Sequence, residues 1–309
     1  MRDTIGIDVS KATLDAYRLN ARCHARFSND RAGLKALIEW IGTAALVVFE
    51  ATGAYHRQLE TALAAQRLAY AKVNPRQARR FAEATGRLAK TDCVDAAMLA
   101  RMGAVLDLDA QTSRTETLQA LKDLMTARRA LIKDRTAALT RQKVLASSLL
   151  QRQAAARLRQ IEAHLRELDA AITEAVKSDA VLSQKLAILI SIPGIADTTA
   201  FAMLVEMPEL GTLDGKQAAS LAGVAPISRQ SGKWHGHERI RGGRAFLRRA
   251  IYMPALAAVR FNPEFKAKYE QLTAAGKPAK VALVAIMRKL IVLVNALLRD
   301  GRQWSESRP

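Results

Sequence analysis

Apolar residues along the first hundred positions fall in short runs separated by polar turns. Thr4 to Val9 (TIGIDV) is one run and carries a single acid, Asp8. Thr13 to Leu19 and Cys23 to Ser28 are two more, and the short gaps between the three suit antiparallel hairpins. Asp30 stands where a cap belongs for a helix over Ala32 to Ile41. Ala45 to Phe49 (ALVVF) is apolar throughout and ends on Glu50, the pattern of a buried central strand. A helix over Tyr55 to Ala65, a fifth strand over Ala69 to Val73, a helix opened by Pro75 and another from Thr91 to Gly103 complete the order β-β-β-α-β-α-β-α. That order predicts an α/β domain over residues 1–105.

The pattern then changes. Thr115 to Val176 contains neither Pro nor Gly, and Leu118, Leu121, Met125, Leu131, Leu139 and Leu149 form a loose apolar stripe that resumes at Ile161 after a polar stretch around Gln151. Two long helices are expected over 115–178, as a coiled-coil linker or dimerisation arm. A mostly α domain is expected over 182–309. It opens with the sequence Ile188 to Val205, which reads helix, tight turn at Pro193-Gly194-Ile195, helix: a helix-hairpin-helix of the kind that offers backbone N–H groups to nucleic-acid phosphates. A short helix over Lys216 to Leu221 follows. Gly223 to Gly243 is rich in Gly and Arg and has little periodicity, and two helices, Arg244 to Val259 and Lys277 to Leu298, close the chain.

Charge sharpens this picture. Lys and Arg number 48 against 29 Asp and Glu, a net charge of +19 over 309 residues. Like charges repel in a compact state, so an excess of this size serves a polyanionic partner, nucleic acid above all. The two cysteines, Cys23 and Cys93, form no C-x-x-C pair, which argues against a disulfide scaffold or a cysteine zinc module and places the chain in a reducing cytoplasm, with the nucleoid. The first ten residues read as a strand rather than a secretion signal. The apolar segment Val281 to Leu298 is interrupted by Arg288 and Lys289, so no membrane span is expected.

Four acids stand out by position. Asp8 lies in GIDVSK on the first strand, Glu50 in FEATGAY at the end of the buried strand, and Asp92 and Asp95 in KTDCVDA, on one face of a helix start. Any one of them is explained equally by a turn, an edge or a helix cap. Gathered at one sheet edge, they would repel each other unless divalent cations reversed the cost, and oxygen-only ligands select Mg²⁺, or Mn²⁺, over zinc. Two such ions can hold a phosphodiester and stabilise the attacking and leaving oxygens.

GIDVSK, FEATGAY, KTDCVDA, SIPGI and LRRAIYMPA, in this order over nearly the whole chain, resemble the DEDD transposases of insertion elements, the family numbered one hundred and ten, related to Piv-type DNA invertases. The resemblance implies an RNase H-like (RuvC-like) catalytic domain, a coiled-coil linker and a C-terminal transposase domain. It matches Asp8, Glu50, Asp92 and Asp95 to a metal-binding catalytic tetrad. It implies a recombinase acting on element ends and target DNA, a structured bridge RNA as guide, and a homo-oligomer (dimer or tetramer) whose subunits share sites. It also matches Ser231, in SRQSGKWHG, to a serine nucleophile. The residues after it depart from the small polar ones expected, being Lys233, Trp234 and His235, and Ser228 is a rival.

Residues 221–260 hold eight basic side chains against the single acid Glu238. Arg229, Lys233, Arg239, Arg241, Arg244, Arg248 and Arg249 are the nucleic-acid contacts expected there, with Arg76, Arg79 and Arg80 as a second cluster after Pro75. A solvated basic face is the alternative. His235 and His237 beside Glu238 lack a third ligand for a metal site. Trp234 and Tyr252 suit either base stacking or core packing. Two other activities fit the same residues: a structure-specific nuclease or junction resolvase with water as nucleophile, and a non-catalytic nucleic-acid binder whose acids are structural.

Overall fold

The computed structural model describes residues 3–42, 45–51, 53, 55–86, 92–111, 115–232 and 234–305, without the side chains of residues 92, 93, 234 and 235. The chain forms two units, Met1–Ser113 and Arg114–Pro309.

The first unit is a five-stranded mixed sheet. Strands β1 (Asp3–Val9), β2 (Thr13–Arg18) and β3 (Cys23–Ser28) form an antiparallel meander. Strand β4 (Ala45–Glu50) lies parallel to β1 on its other side and β5 (Tyr70–Val73) parallel to β4, giving the order β3-β2-β1-β4-β5. This layout is consistent with the RNase H-like fold that the resemblance implies. Alternation divides the side chains between two faces. Ile5, Ile7, Leu14, Ala16, Val47 and Phe49 face helices α1 (Arg31–Ile41) and α2 (Arg57–Ala65), which contribute Leu34, Leu37, Leu59 and Leu63 to the same core. Leu46, Val48, Ala71 and Val73 face α3 (Pro75–Ala84) and α4 (Asp92–Val105). Asp30 caps α1 through Gly33 N, and Pro75 sits in the first turn of α3, as the sequence predicts.

Helix α4 lies so close to β1 that a Cβ on Gly6 would come within 2.0 Å of the Ala96 carbonyl oxygen and 2.4 Å of the Ala100 nitrogen. Further along the helix, a Cβ on Gly103 would meet Val48 and Thr4 side-chain carbons at 2.6 and 2.8 Å. These two contacts fix direction. Later helix residues sit over the start of β1, earlier ones over its middle, so α4 runs antiparallel to β1 and begins at the strand's C-terminal edge.

The second unit is helical. Helices α5 (Glu116–Gln142) and α6 (Ser148–Lys177) pair along their length. Arg128 bonds Asp169 and Arg135 bonds Glu162, seven residues on along one helix and seven back along the other, so the pair is antiparallel. Gln151 lies in the first turn of α6 and donates its side-chain amide to Leu145 O across the connection. Leu121, Met125, Ile172 and Val176 insert the base of the pair into the unit's large core. That core is completed by α7 (Ala180–Ile190), α8 (Asp197–Glu206), α9 (Gly215–Leu221), α10 (Ala245–Ala250), α11 (Tyr252–Phe261), α12 (Pro263–Ala274) and α13 (Ala279–Asp300). By length and composition α13 would pass for a membrane span; in the structure it is a core helix, with Ile286, Leu290, Ile291 and Val294 buried.

Three sequence expectations change here. The single helix expected over Arg244 to Val259 is two, broken at Ile251, because Pro254 has no N–H for the Ala250 carbonyl. Helix α12 was not expected; Asn262 caps it through Glu264 N and Phe265 N, and Pro263 occupies its first position. The Gly- and Arg-rich stretch forms a β-arm rather than an irregular loop. Strand β6 (Pro226–Ile227) pairs with β9 (Arg239–Ile240) at its base, and β7 (Gln230–Ser231) with β8 (Trp234–His235) at its tip. Each strand has two residues, too few for hydrophobic alternation to register in sequence, and the arm is held by backbone bonds such as Gly236 N to Arg229 O at 2.9 Å.

The arm's base is clamped. Gly223 (φ 71°) and Gly243 (φ 60°) cross in direct contact, and a Cβ on Gly243 would sit 2.3 Å from Gly223 N. Arg248 Nη1 donates to Gly223 O at 3.2 Å and Gly242 O at 2.8 Å. Arg244 grips Glu209 with both terminal nitrogens, each at 2.7 Å, and donates to Glu206 O at 2.6 Å. The Glu209 hydrogen bonds hold the Arg244 guanidinium above its ordinary pKa against the opposing effect of burial.

Two substitutions test these contacts. Gly6→Ala forces α4 off β1 and destabilises the first unit by about 3 kcal/mol or more, read as a lowered urea midpoint of the full chain followed by Trp40 fluorescence. Gly243→Ala opens the arm's base, so amide hydrogen exchange over 226–240 accelerates while that of the α13 amides is unchanged.

Candidate active site

The β1–β4 register places two of the four acids side by side. Ile7 pairs with Phe49, and the next residues along are Asp8 and Glu50, at the C-terminal ends of adjacent parallel strands. Ile7 and Phe49 point into the α1–α2 core, so Asp8 and Glu50 point to the α4 face. Helix α4 begins at this edge. Asp95 precedes Ala96, whose carbonyl lies against Gly6 two residues before Asp8, and Asp92 is the helix's first residue. The backbone therefore directs Asp8, Glu50 and Asp95 to one edge and one face. All three are partly exposed and engaged in interactions. Asp92's side chain lies outside the described residues. Among the described residues, no three carboxylate, imidazole or thiol groups form a finished metal cluster.

The same row of the sheet holds two side chains that sequence reasoning missed. Asp15 on β2 is paired directly with Asp8, and Arg26 on β3 directly with Asp15. Asp15 is 1% exposed, and its Oδ1 accepts from Arg26 Nε at 2.8 Å and lies 3.2 Å from His24 Nε2. The signal was an acid in the middle of a predicted strand, flanked by Leu14 and Ala16. At the opposite end of the row, Glu50 pairs with Val73, after which Asn74 caps α3. Helix α3 thus starts at the carboxylate edge, with Arg76, Arg79 and Arg80 on its exposed side and Ala78 and Ala82 buried.

In the second unit Ser231 is exposed at the tip of the arm, followed by Gly232 at φ 57° with open space around its α-carbon. Ser228, Arg229, His237, Glu238, Arg239 and Arg241 are also exposed on or beside the arm. Lys233 and the side chains of Trp234 and His235 fall outside the described residues. Arg249 is exposed on α10, near the Phe246 ring, and Tyr252 is 42% exposed at the start of α11, so it is not a core residue. Arg244 and Arg248 differ from the other cations: their guanidinium groups bond the protein's own carbonyls and carboxylates and brace the arm. Gly194 (φ 93°), in the turn between α7 and α8, faces α11, with Ala257 Cβ and Pro254 O 3.0 Å from where its own Cβ would be.

Comparison with known proteins agrees with both halves. Residues 5–152 match the DEDD transposase model of the IS110 group, and residues 186–270 match a model described as "Transposase IS116/IS110/IS902 family". A pilin gene-inverting protein of Moraxella lacunata is 31% identical, covering 98% of this chain and 97% of its own length. An IS110 insertion-element protein of 43.6 kDa from Streptomyces coelicolor is 35% identical over 125 residues, 40% of this chain and 31% of its own. With both models matched and a relative aligned end to end, the chain belongs to the IS110 family of transposases.

Proposed function

We propose that the protein cleaves and rejoins DNA strands at the ends of a mobile element and at its target, using the carboxylate edge for metal-assisted phosphoryl transfer and Ser231 as nucleophile. The observation that carries this reading is the convergence of Asp8, Glu50 and the first turn of α4 on one face of one sheet edge. The donors there are all carboxylate oxygens, a set that fits a hard divalent cation and not zinc. Asp8, Glu50, Asp92 and Asp95 would hold Mg²⁺, or Mn²⁺. Such an ion supplies charge to a transferring phosphoryl group and polarises its oxygens.

The chain's own groups do the rest. Ser231 stands at the end of a braced arm, where its Oγ can reach a strand without carrying the helical core with it. Its Oγ forms a bond to phosphorus as the strand's P–O bond breaks; the hydroxyl proton passes through solvent to the leaving oxygen, which becomes a free DNA hydroxyl. The number of phosphodiester bonds is unchanged, so the reverse attack by a DNA hydroxyl rejoins strands without ATP. Arg229, Arg239, Arg241 and Arg249 on and beside the arm, Lys233 in the same stretch of sequence, and Arg76, Arg79 and Arg80 on α3 hold the backbone at both places. The α7–α8 turn adds a helix-hairpin-helix contact to DNA, and the exposed tip of the α5–α6 pair, with Val144, Leu149 and Leu150, is where a second copy would pack. A charge of +19 also suits a structured RNA guide, which would leave sequence choice to base pairing.

Two experiments test this reading. Incubated with element-end DNA, Mg²⁺ and the element's flanking transcript, the protein forms a protease-sensitive DNA adduct. Ser231→Ala abolishes the adduct, and Asp8→Asn or Glu50→Gln lowers cleavage by about a thousandfold, about 4 kcal/mol in activation free energy, with the fold intact by circular dichroism. An adduct that persists in Ser231→Ala moves the nucleophile elsewhere, and cleavage to free ends with no adduct indicates water. Arg239→Ala weakens binding to all DNA sequences alike and lowers the slope of log affinity against log salt by about one unit.

A further inference from the structure

The pairing of β1 with β4 ends at Ile7 and Phe49. Asp8 and Glu50 are the first residues beyond it, on strands that now keep different partners: Asp8 stays opposite Asp15 on β2, and Glu50 opposite Val73 on β5. The two acids therefore stand at a fork, and the ladder that aligns their strands stops one residue short of them.

The loops that leave this fork are joined through Asn29. Strand β3 runs parallel to β1, both being antiparallel to β2, so its end emerges at the same edge of the sheet. Asn29 follows it and donates its side-chain Nδ2 to Ser10 O at 2.8 Å and to Tyr55 O at 3.3 Å. Ser10 lies two residues after Asp8, and Tyr55 five after Glu50. A carboxamide nitrogen carries two hydrogens, so one planar group holds both carbonyls at once. Asn29 N also donates to Ala12 O at 2.8 Å.

The tie is anchored in stiff structure. The turn after Asp8 is closed on itself, with Ser10 Oγ accepting from Thr13 N at 2.8 Å and Ser10 N donating to Thr13 O at 2.9 Å. Asn29 stands between the end of β3 and the cap of α1, where Ser28 Oγ donates at 2.9 Å to the same Asp30 oxygen that accepts from Gly33 N. A Cβ on Gly33 would come within 2.0 Å of Ser28 O, so α1 starts hard against the strand end. Local closure of the hairpin is already supplied by Ser10 and Thr13. The Asn29 side-chain bonds span 19 and 26 residues of chain instead, and what they fix is the relation of one acid's loop to the other's.

We propose that Asn29 is a positioning residue: by tying the loop after Asp8 to the loop after Glu50, it sets the separation at which the two carboxylates meet a divalent cation. The inference rests on the carboxylate edge being the metal-binding site.

Direct Mn²⁺ binding to the full-length protein tests it, followed by loss of the free-ion electron paramagnetic resonance signal, with no DNA and no turnover. N29A removes the donor, and N29L removes it at nearly constant volume. Each weakens Mn²⁺ affinity about tenfold, as does loss of other groups that orient metal ligands. Amide hydrogen exchange over residues 10–13 and 55–58 speeds up together in both. A16G is the control: it loosens the same sheet from the α1–α2 core, lowers the unfolding temperature and keeps the parent's Mn²⁺ affinity. Folded N29A and N29L with the parent's affinity, or an equal weakening in A16G, overturn the proposal. Failure of both Asn29 variants to fold also overturns it, since a positioning residue leaves the fold standing. D8N separates this from failure of the site itself. If the parent binds no Mn²⁺, or D8N binds it as the parent does, the carboxylate reading falls; if D8N loses the ion and the Asn29 variants keep it, only the role of Asn29 is sunk.

Discussion

The first unit depends on the contact between α4 and β1. A helix normally rides over a sheet on a layer of side chains; here the layer is missing at Gly6, and the helix backbone comes down onto the strand. This depth has a geometric consequence. Aspartate is short, and its carboxylate reaches neighbours only when the backbones carrying it are close. Lowering α4 by the thickness of a methyl group brings its first turn to the level of the strand ends. Gly103 repeats the device at the other end of the helix, so the approach is close along its length and not a local tilt.

The second unit solves a different problem. An exposed two-residue hairpin step has almost no stability of its own, because isolated hairpins are marginal in water. The arm that carries Ser231 gets its definition from its base, where two glycines cross and two arginines bind inward. Arginines that sequence alone groups with the DNA contacts therefore divide into two kinds. Those with protein partners, Arg244 and Arg248, shape the arm, and those exposed along it leave its surface strongly basic.

Much of this was legible in the chain. All five strands of the sheet, the cap at Asp30 and the helix start at Pro75 follow from short apolar runs and turn chemistry, because both faces of the sheet are covered largely by ordinary apolar residues. The positions of Asp8 and Glu50 at strand ends were equally readable. What sequence could not supply was register: only pairing shows Asp15 and Arg26 in the same row as Asp8. The β-arm was hidden because two-residue strands have no period, and the break at Ile251 was masked by an apolar run that continues through Pro254. The roles of Gly6 and Gly223 required knowing what lies opposite them.

The alternation of β1 ties fold and chemistry together more tightly than proximity alone would. If β1 slipped by one residue against its neighbours, Ile7 would take the place of Asp8 at the edge and the carboxylate would be driven among Leu37, Phe49 and Leu59. The misaligned chain would bury an unpaired carboxylate and be too unstable to persist. The alignment that brings Asp8 to the α4 face is thus also the one that lets this part of the chain hold together.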